Sequence, residues 1–411
     1  MQAFPITEER MTKRRMKQLS NGFRSELVNN IIPFWTGHAT DREYGGFTTF
    51  LDRKGDVLCT DKPMWIQGRI GWTFARLYND LEKREEWLAL SKHAIDFITK
   101  HGFDADGRIF YAVTRDGRPL RKRRYLFAEI FAIMAFAEYA KASGDRQSLE
   151  TAKKLMRFVQ ETAAKSWPEP GALEPKVLPQ TRPMRGHSMA MIQINTLQVL
   201  RRADDSETPL PYDVLIDAQI EEVFRYFVKP EKKALLETVG PNGEYLGDTP
   251  EGRCVNPGHA IETAWFILAE GKHRNDRALI ERALPILDWS LELGWDRKYG
   301  GIMYFMDIEG KQPVQYEWDM KLFWPHNEAI YGTLLAYALT GDKKWEDWFE
   351  RILKWSLARF PDREYGEWFG YLHRDGSLSH DLKGNMWKGP FHIPRQQLYC
   401  HLLLEEMLKK T

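Results

Sequence analysis

The chain has 411 residues, with 59 lysines and arginines against 58 aspartates and glutamates, so its formal net charge is +1. This balance argues against the strong positive field that attracts nucleic acids or anionic membranes, and no such partner is predicted. Three widely spaced cysteines, an odd number, argue against a disulfide framework and favour a reducing, cytoplasmic location. The sequence has no apolar run of 18 residues and no apolar core near its N-terminus, so we expect neither a membrane span nor a signal peptide.

A short phrase recurs along the chain and divides it into units. It reads DREYGGF at 41–47, DRKYGGI at 296–302 and DREYGEW at 362–368. The starts of the last two copies are 66 residues apart, and the gap before them, 255 residues, is about four times 64. This spacing predicts three weaker copies between the first and second clear ones. Residues 103–120 and 230–246 each contain an apolar or aromatic run with a turn, whereas the segment near 168 keeps only the turn residues. Six hairpin-like copies therefore span the chain.

Helical periodicity fills the segments between the copies. The segments predicted as buried helices, which are apolar on nearly every side, are 64–78, 125–139, 187–200, 259–270, 327–339 and 392–408. The amphipathic segments predicted as outer helices are 7–31, 86–100, 145–165, 213–228, 275–293 and 344–359. The basic run RKRR at 121–124 is interpreted as a solvated loop, in preference to a targeting or phosphate-binding patch.

The two ends of the chain complement each other in this pattern. The first outer helix has no preceding hairpin, and the last buried helix has no outer partner after it. A closed ring would pair them, so we predict an all-α fold, an (α/α)6 barrel with short β-hairpins in the connecting loops, formed by residues 1–411 as a single domain. The alternative is an open array of helical repeats, which usually carries polar caps at both ends.

A closed ring would bring the starts of the six inner helices around one cavity, and polar residues recur at these starts. Such groups are costly in an apolar helix unless they are paired or wet, which favours a lined pocket. The candidate residues are Trp65, Gln67, Arg69, Tyr125, Glu129, His187, Asn256, His259, Glu262, Trp324, His326, Glu328, Lys388, His392 and Arg395. Aromatic residues form 13% of the chain, including fifteen tryptophans, and their flat apolar faces suit a sugar ring, although a large helical core would use them too.

Two histidines from different helices suggest proton transfer. Imidazole has an ordinary pKa near 6.5, so His259 and His392 could hold opposite protonation states near neutral pH and flank a substrate. Arg69 could stabilise an oxygen that becomes negative as a neighbouring carbon loses its proton. His259 and Glu262 project to one side of a helix, but no CxxC or HExxH pattern supplies further ligands, so no metal site is predicted.

Five segments carry a resemblance to a known family: WIQGR (65–69), NPGHAIE (256–262), WPHNEA (324–329), DREYGEWFGYL (362–372) and KGPFHIPR (388–395). In this order they resemble the N-acylglucosamine 2-epimerases, also called renin-binding proteins. The resemblance implies an (α/α)6 barrel that epimerises a sugar at C2 of its open-chain form through an enediolate-type intermediate. It implies that His259 and His392 are the acid–base pair, that Arg69 contacts substrate oxygens, and that Glu262, Glu328 and His187 belong to the pocket.

The resemblance also carries expectations about substrate and partners. It favours interconversion of N-acetyl-D-glucosamine and N-acetyl-D-mannosamine, with cellobiose or mannose 2-epimerase or mannose–fructose isomerase as alternatives on the same scaffold. It implies no required cofactor, ATP as an optional allosteric activator, and a homodimer. A glycoside hydrolase would instead need two carboxylates about 5–9.5 Å apart, with Glu129, Glu262 and Glu328 as candidates. A non-catalytic binding protein is the third interpretation.

Overall fold

A computed structural model describes residues 11–122 and 125–410, and the described chain is mostly helical. The helices are α1 (Lys13–Glu26), α2 (Ile32–His38), α3 (Met64–Asp80), α4 (Glu85–His101), α5 (Phe127–Ser143), α6 (Arg146–Ala164), α7 (Ser188–Ala203), α8 (Tyr212–Glu222), α9 (Pro250–Arg253), α10 (Pro257–Arg274), α11 (Arg277–Gly294), α12 (Phe323–Thr340), α13 (Lys343–Leu357) and α14 (His392–Lys410). A π-helical turn at Leu27–Ile31 joins α1 to α2, and another at Val223–Phe227 follows α8. The predicted mainly helical chain is confirmed.

Short strands connect the helices. They are β1 (Phe50–Leu51), β2 (Val57–Cys59), β3 (Lys62–Pro63), β4 (Ala112–Val113), β5 (Pro119–Arg121), β6 (Arg185–Gly186), β7 (Val228–Lys229), β8 (Ala234–Leu235), β9 (Thr238–Val239), β10 (Cys254–Val255), β11 (Met306–Asp307), β12 (Lys321–Leu322), β13 (Tyr371–Leu372) and β14 (Leu378–His380). Antiparallel hairpins pair β1 with β2, β4 with β5, β7 with β8 and β13 with β14. The predicted hairpins are therefore present in the copies that begin at 41, 103, 230 and 362. The copy at 296 differs, because its strand β11 pairs with β10 from an earlier unit, and the copy near 168 forms turns without a strand pair.

The helices alternate between buried and amphipathic, as predicted. In α5 every side chain from 128 to 140 is buried, whereas α6 buries one face only. The buried helices α3, α5, α7, α10, α12 and α14 pack against one another in chain order, and α14 also contacts α3. The outer partner of α14 is α1, from the other end of the chain. The first buried residues of α3, α10, α12 and α14 therefore lie at the same ends of neighbouring helices.

Some predicted boundaries differ from the observed ones. The first outer helix was predicted over 7–31, but residues 7–10 lie outside the described part, and the helix proper begins at Lys13 behind the Thr12 cap. The second buried helix begins at Phe127 rather than 125.

In the basic run, Lys122 pairs with Asp104, while 123 and 124 lie outside the described residues. Among the described residues, no helix is long and apolar enough to cross a membrane.

The recurring phrase builds a repeated ionic cluster around its aspartate. Each aspartate accepts a hydrogen bond from a buried lysine, which lies in the segment that leads into the next inner helix. It also pairs with an arginine from one of the hairpins. The three clusters are Asp41 with Lys62 and Arg115, Asp296 with Lys321 and Arg374, and Asp362 with Lys383 and Arg53. Because Arg53 belongs to the first hairpin and Asp362 to the last copy, the third cluster joins the two ends of the chain. The phrase is therefore structural, and it fixes the loops around the helix starts.

Candidate active site

The two histidines flank one tryptophan at the starts of three inner helices. His259 lies in the first turn of α10, His392 opens α14, and Trp324 is the second residue of α12. The indole centroid of Trp324 lies 5.1 Å from the ring of His259 and 5.7 Å from the ring of His392. The structure thus brings together imidazoles that are 133 positions apart in sequence.

The first turn of α10 has a specific local cause. Asn256 is its N-cap, and its side-chain oxygen accepts the backbone N–H of His259 at 3.0 Å. Pro257 follows at a position where a helix needs no N–H donor. Asn256 and Pro257 therefore fix where the helix begins and so where the His259 side chain projects.

His392 is held by a buried network of charged groups. Its Nδ1 donates to Glu328 Oε1 at 2.7 Å, and Arg395 Nη2 donates to the same oxygen at 2.7 Å and to Glu262 Oε1 at 2.5 Å. The other oxygen of Glu328 accepts the indole N–H of Trp265 at 2.8 Å. Glu328 is therefore fully engaged, and it leaves Nε2 of His392 as the nitrogen available to a ligand.

The same network contains a group of possible metal ligands. Atoms of Glu262, Glu328 and His392 lie within 4.8 Å of one another. Arg395 donates to both carboxylates of this group, so its guanidinium already supplies a positive charge between them. The donor set is thus satisfied by side chains of the chain itself.

The two histidines have opposite electrostatic environments. Burial lowers the pKa of His392 well below its ordinary value, and the positive charges of Arg69 and Arg395 lower it further. Burial also opposes protonation of His259, but the Glu237 carboxylate, 3.0 Å from Nδ1, outweighs it and raises the pKa of His259 above its ordinary value. The two shifts therefore run in opposite directions and favour a neutral His392 beside a protonated His259, which is the arrangement that an acid–base pair needs.

The Arg69 guanidinium is surrounded by aromatic rings and keeps N–H groups available for further hydrogen bonds. Its guanidinium carbon lies 4.3, 4.2 and 4.9 Å from the ring centroids of Trp65, Phe131 and Phe391. Nη1 donates to the Trp387 carbonyl at 3.4 Å, and Nε has no hydrogen-bond acceptor within the described part of the chain. Burial lowers the pKa of Arg69 to about 9, so it remains charged at neutral pH. Arg69 can therefore donate to an incoming oxygen.

Comparison with known proteins decides the family. The family model for N-acylglucosamine 2-epimerase (GlcNAc 2-epimerase) matches residues 45–393. The chain belongs to the N-acylglucosamine 2-epimerase family. It is 34% identical to the N-acylglucosamine 2-epimerase of Bos taurus over 392 residues, which cover 93% of this chain and 90% of that relative. The relatives of this epimerase family are isomerases, and the chain is one too.

Other family members are less similar. The cellobiose 2-epimerase of Dictyoglomus turgidum is 26% identical, with 93% of this chain and 98% of that relative covered. The solved structure of cellobiose 2-epimerase from Bacillus thermoamylovorans superimposes with a TM-score of 0.80 at 24% identity, covering 95% of this chain and 100% of that one. This structural likeness supports the fold, and the sequence identities favour the N-acylglucosamine branch of the family.

Two of the predicted pocket residues instead hold neighbouring loops. The Gln67 amide pairs with the backbone of Phe47, donating at 2.8 Å and accepting at 2.9 Å. Glu129 accepts Arg108 at 2.6 Å and the backbone N–H of Ile109 at 3.0 Å. Both side chains are fully buried, and their hydrogen-bond partners belong to neighbouring loops, away from His259 and His392.

Two further predicted residues lie in similar structural positions. His326 accepts the Ile302 N–H at 2.9 Å and stacks on Trp355, and burial lowers its pKa to about 3, so it stays neutral. Lys388 pairs with Glu367 at 2.9 Å, with both side chains fully buried. The polar groups of His326 and Lys388 bind the loops around the helix starts, so neither side chain joins His259 and His392 beside Trp324.

Tyr125 and His187 lie at opposite extremes of exposure. Tyr125 is 38% exposed and packs its ring against Phe127, with Lys176 over its face. His187 is fully buried, and its Nε2 lies 3.0 Å from the hydroxyl of Thr263. Tyr125 is therefore open to solvent, whereas His187 is buried against α10, the helix that carries His259.

Sequence reasoning missed Glu237, the carboxylate that contacts His259. It lies between β8 and β9, in the apolar run ALLETV at 234–239. A single acidic residue in such a run is costly unless it is paired, and this was the one signal that could have revealed it. Its partner, 22 positions away, could not be read from helical spacing.

Proposed function

We propose that the protein is a sugar 2-epimerase that interconverts N-acetyl-D-glucosamine and N-acetyl-D-mannosamine. The observation that carries the proposal is the pair of imidazoles that flank Trp324 and whose pKa values are shifted in opposite directions. We further propose that residues 1–411 form one (α/α)6 barrel, because α1 closes the series of helices by packing on α14. Its cavity would open at the starts of the inner helices.

The proposed reaction moves one proton off C2 and another onto it. In one direction, neutral His392 removes the C2 proton of the open-chain sugar through Nε2, and the electron pair moves onto the adjacent carbonyl oxygen. The charged Arg69 stabilises this enediolate-type oxygen. Protonated His259 then delivers a proton to the opposite face of C2, which inverts that centre. The reverse reaction exchanges the two roles, so the pair carries one proton in total in both directions.

The carboxylates support this proposal over a glycoside hydrolase. Arg395 pairs with both Glu262 and Glu328, and Arg108 pairs with Glu129. A hydrolase needs one carboxyl group that is free to protonate the leaving group, and all three of these side chains are held in ion pairs by arginines. The two-histidine pocket also has no purpose in a protein that only binds a partner.

We propose the remaining properties from the family resemblance and the sequence. They are catalysis without a required cofactor, optional activation by ATP, a homodimeric assembly and a cytoplasmic location, with no nucleic-acid or membrane partner. The absence of a strong net charge supports the last of these.

A substrate panel tests the proposed specificity. We expect the purified protein to interconvert N-acetylglucosamine and N-acetylmannosamine faster than it converts mannose or cellobiose, with the reaction followed by NMR in the presence and absence of ATP. The 34% identity to an N-acylglucosamine enzyme against 26% to a cellobiose enzyme supports this order. Faster epimerisation of cellobiose or mannose, or faster isomerisation of mannose to fructose, would contradict the proposed substrate and favour the alternative one.

A further inference from the structure

Glu237 contacts one of the two histidines from a loop that is fixed on both sides. Both carboxylate oxygens lie close to Nδ1 of His259, at 3.1 and 3.0 Å. The backbone N–H of Glu237 donates to Cys254 at 3.2 Å, and its carbonyl accepts the N–H of His187 at 3.0 Å. We propose that Glu237 is a positioning residue of the active site, which holds His259 by Nδ1 so that Nε2 alone exchanges protons with the sugar. This inference rests on the proposed function.

The contact determines which nitrogen of His259 carries a proton. An ionised carboxylate only accepts hydrogen bonds, so Nδ1 must donate to Glu237 in both protonation states of the ring. In the neutral state Nε2 is then an acceptor that can take a proton, and in the charged state Nε2 is the donor that can return one. The other tautomer of His259 would place a lone pair against the carboxylate. Glu237 therefore keeps the ring competent in both directions of the reaction.

A second histidine, His187, lies near the same carboxylate at a longer distance. The hydroxyl of Thr263 donates its one hydrogen to the carbonyl of His259 at 2.8 Å, so it must accept from Nε2 of His187 at 3.0 Å. Nε2 of His187 therefore carries a proton. Its Nδ1 lies 3.8 Å from Glu237, too far for a hydrogen bond. His259 therefore makes the closer contact with the carboxylate, while His187 lies farther away and also contributes to the lowered pKa of Glu237.

The other titratable groups around this pair complete its electrostatics. Glu262, one turn along α10, also favours the charged form of His259, while His392 lies across Trp324. Cys254 and Tyr304 feel the charge of Glu237, and burial together with that charge raises the pKa of each. Glu237 is the acidic group in direct hydrogen-bond contact with His259, so its removal should change His259 most.

Charge-neutral replacement of Glu237 tests the role. In Glu237→Gln the amide oxygen can still accept from Nδ1, but the negative charge is lost, so the pKa of His259 should fall. Both directions of the reaction require one proton on the histidine pair, and the pKa shifts favour its residence on His259, so activity is lost as pH rises through the pKa of His259. The alkaline limb of kcat/KM should therefore move to lower pH in Glu237→Gln. Carboxylates that orient metal-bound imidazoles typically contribute about 10- to 100-fold, and we expect a loss of kcat of similar size here.

Two further variants separate positioning from simple damage to the fold. Glu237→Asp keeps the charge and should leave the alkaline limb near its wild-type position. Glu244→Gln removes an exposed carboxylate from the same loop region and should leave both kcat and the limb unchanged. A lower kcat with an unmoved alkaline limb in Glu237→Gln would overturn the proposal.

NMR titration of His259 makes the result independent of turnover. The imidazole resonance of His259, assigned by its loss in His259→Ala, should titrate at lower pH in folded Glu237→Gln than in the wild type. An unchanged titration would refute the pairing. A shifted titration in a protein that fails to epimerise any sugar would support the Glu237–His259 pairing and overturn the proposed function instead.

Discussion

Replacing His392 with alanine is expected to lower kcat for epimerisation by about 10²–10⁴-fold, the usual contribution of a positioned acid or base. The reason is that neutral His392 supplies the nitrogen that removes the C2 proton in the proposed mechanism, and His259, which serves the opposite face, cannot replace it. His259→Ala should cost a similar factor, and the double variant should lose little more, because groups that act in one step are not additive. Steady-state kinetics in both directions measure these effects.

The control for this series is a histidine away from the site. His373 is exposed in the turn between β13 and β14, and His373→Ala should keep wild-type kcat. Circular dichroism should show that each alanine variant is folded. A folded His392→Ala or His259→Ala enzyme with near wild-type kcat would refute the roles proposed for the pair.

Replacing Arg395 with methionine is expected to lower the free energy of unfolding by about 3–5 kcal/mol, the usual cost of removing one partner from a buried ionic network. Arg395 is 2% exposed and donates to both Glu262 and Glu328, so its loss leaves two carboxylates facing each other in a buried site. Its planar group also packs over the rings of Trp265 and Phe391 at 5.1 and 4.6 Å. The midpoint of urea denaturation measures the loss.

Arg277→Met is the matched control for the stability experiment. Arg277 also pairs with a glutamate, Glu281, but its side chain is 90% exposed, and surface ion pairs contribute about 0–1 kcal/mol. We therefore expect a midpoint close to that of the wild type. Equal effects of the two substitutions would show that the buried network contributes nothing beyond a surface pair.

The repeated phrase made the architecture readable from sequence. Copies beginning at 41, 296 and 362, together with the alternation of fully apolar and amphipathic segments, predicted the inner and outer helices and most of the hairpins. Periodicity works here because each unit buries the same faces in the same order. The aspartates of the phrase could not be assigned a role, since their arginine partners come from other units and their lysine partners lie about 20 residues further along irregular loops.

The site was only partly predictable for a related physical reason. Polar residues at the starts of inner helices serve two purposes: His259 and His392 face each other across Trp324, whereas Gln67 and His326 hold the loops beside them. Helical spacing alone does not separate these purposes, because a difference of one residue turns a side chain by about 100° around the helix axis.

The direction in which the pKa of each histidine is shifted could not be predicted from the sequence. It depends on Glu237 beside one ring and on Arg69 and Arg395 near the other. These groups lie on separate elements, and their proximity is a property of the folded chain. A sequence can suggest that two imidazoles act together, but the direction in which each is shifted requires the packed structure.

Solvent isotope incorporation at C2 tests the two-histidine mechanism most directly. When N-acetylmannosamine reacts in D₂O, the account predicts that every product molecule carries deuterium at C2 from the first turnover, because the proton removed by one histidine is not the one delivered by the other. NMR of product and unreacted substrate measures this. Product that retains its original C2 proton, or release of a new reducing end from a glycoside, would contradict the mechanism.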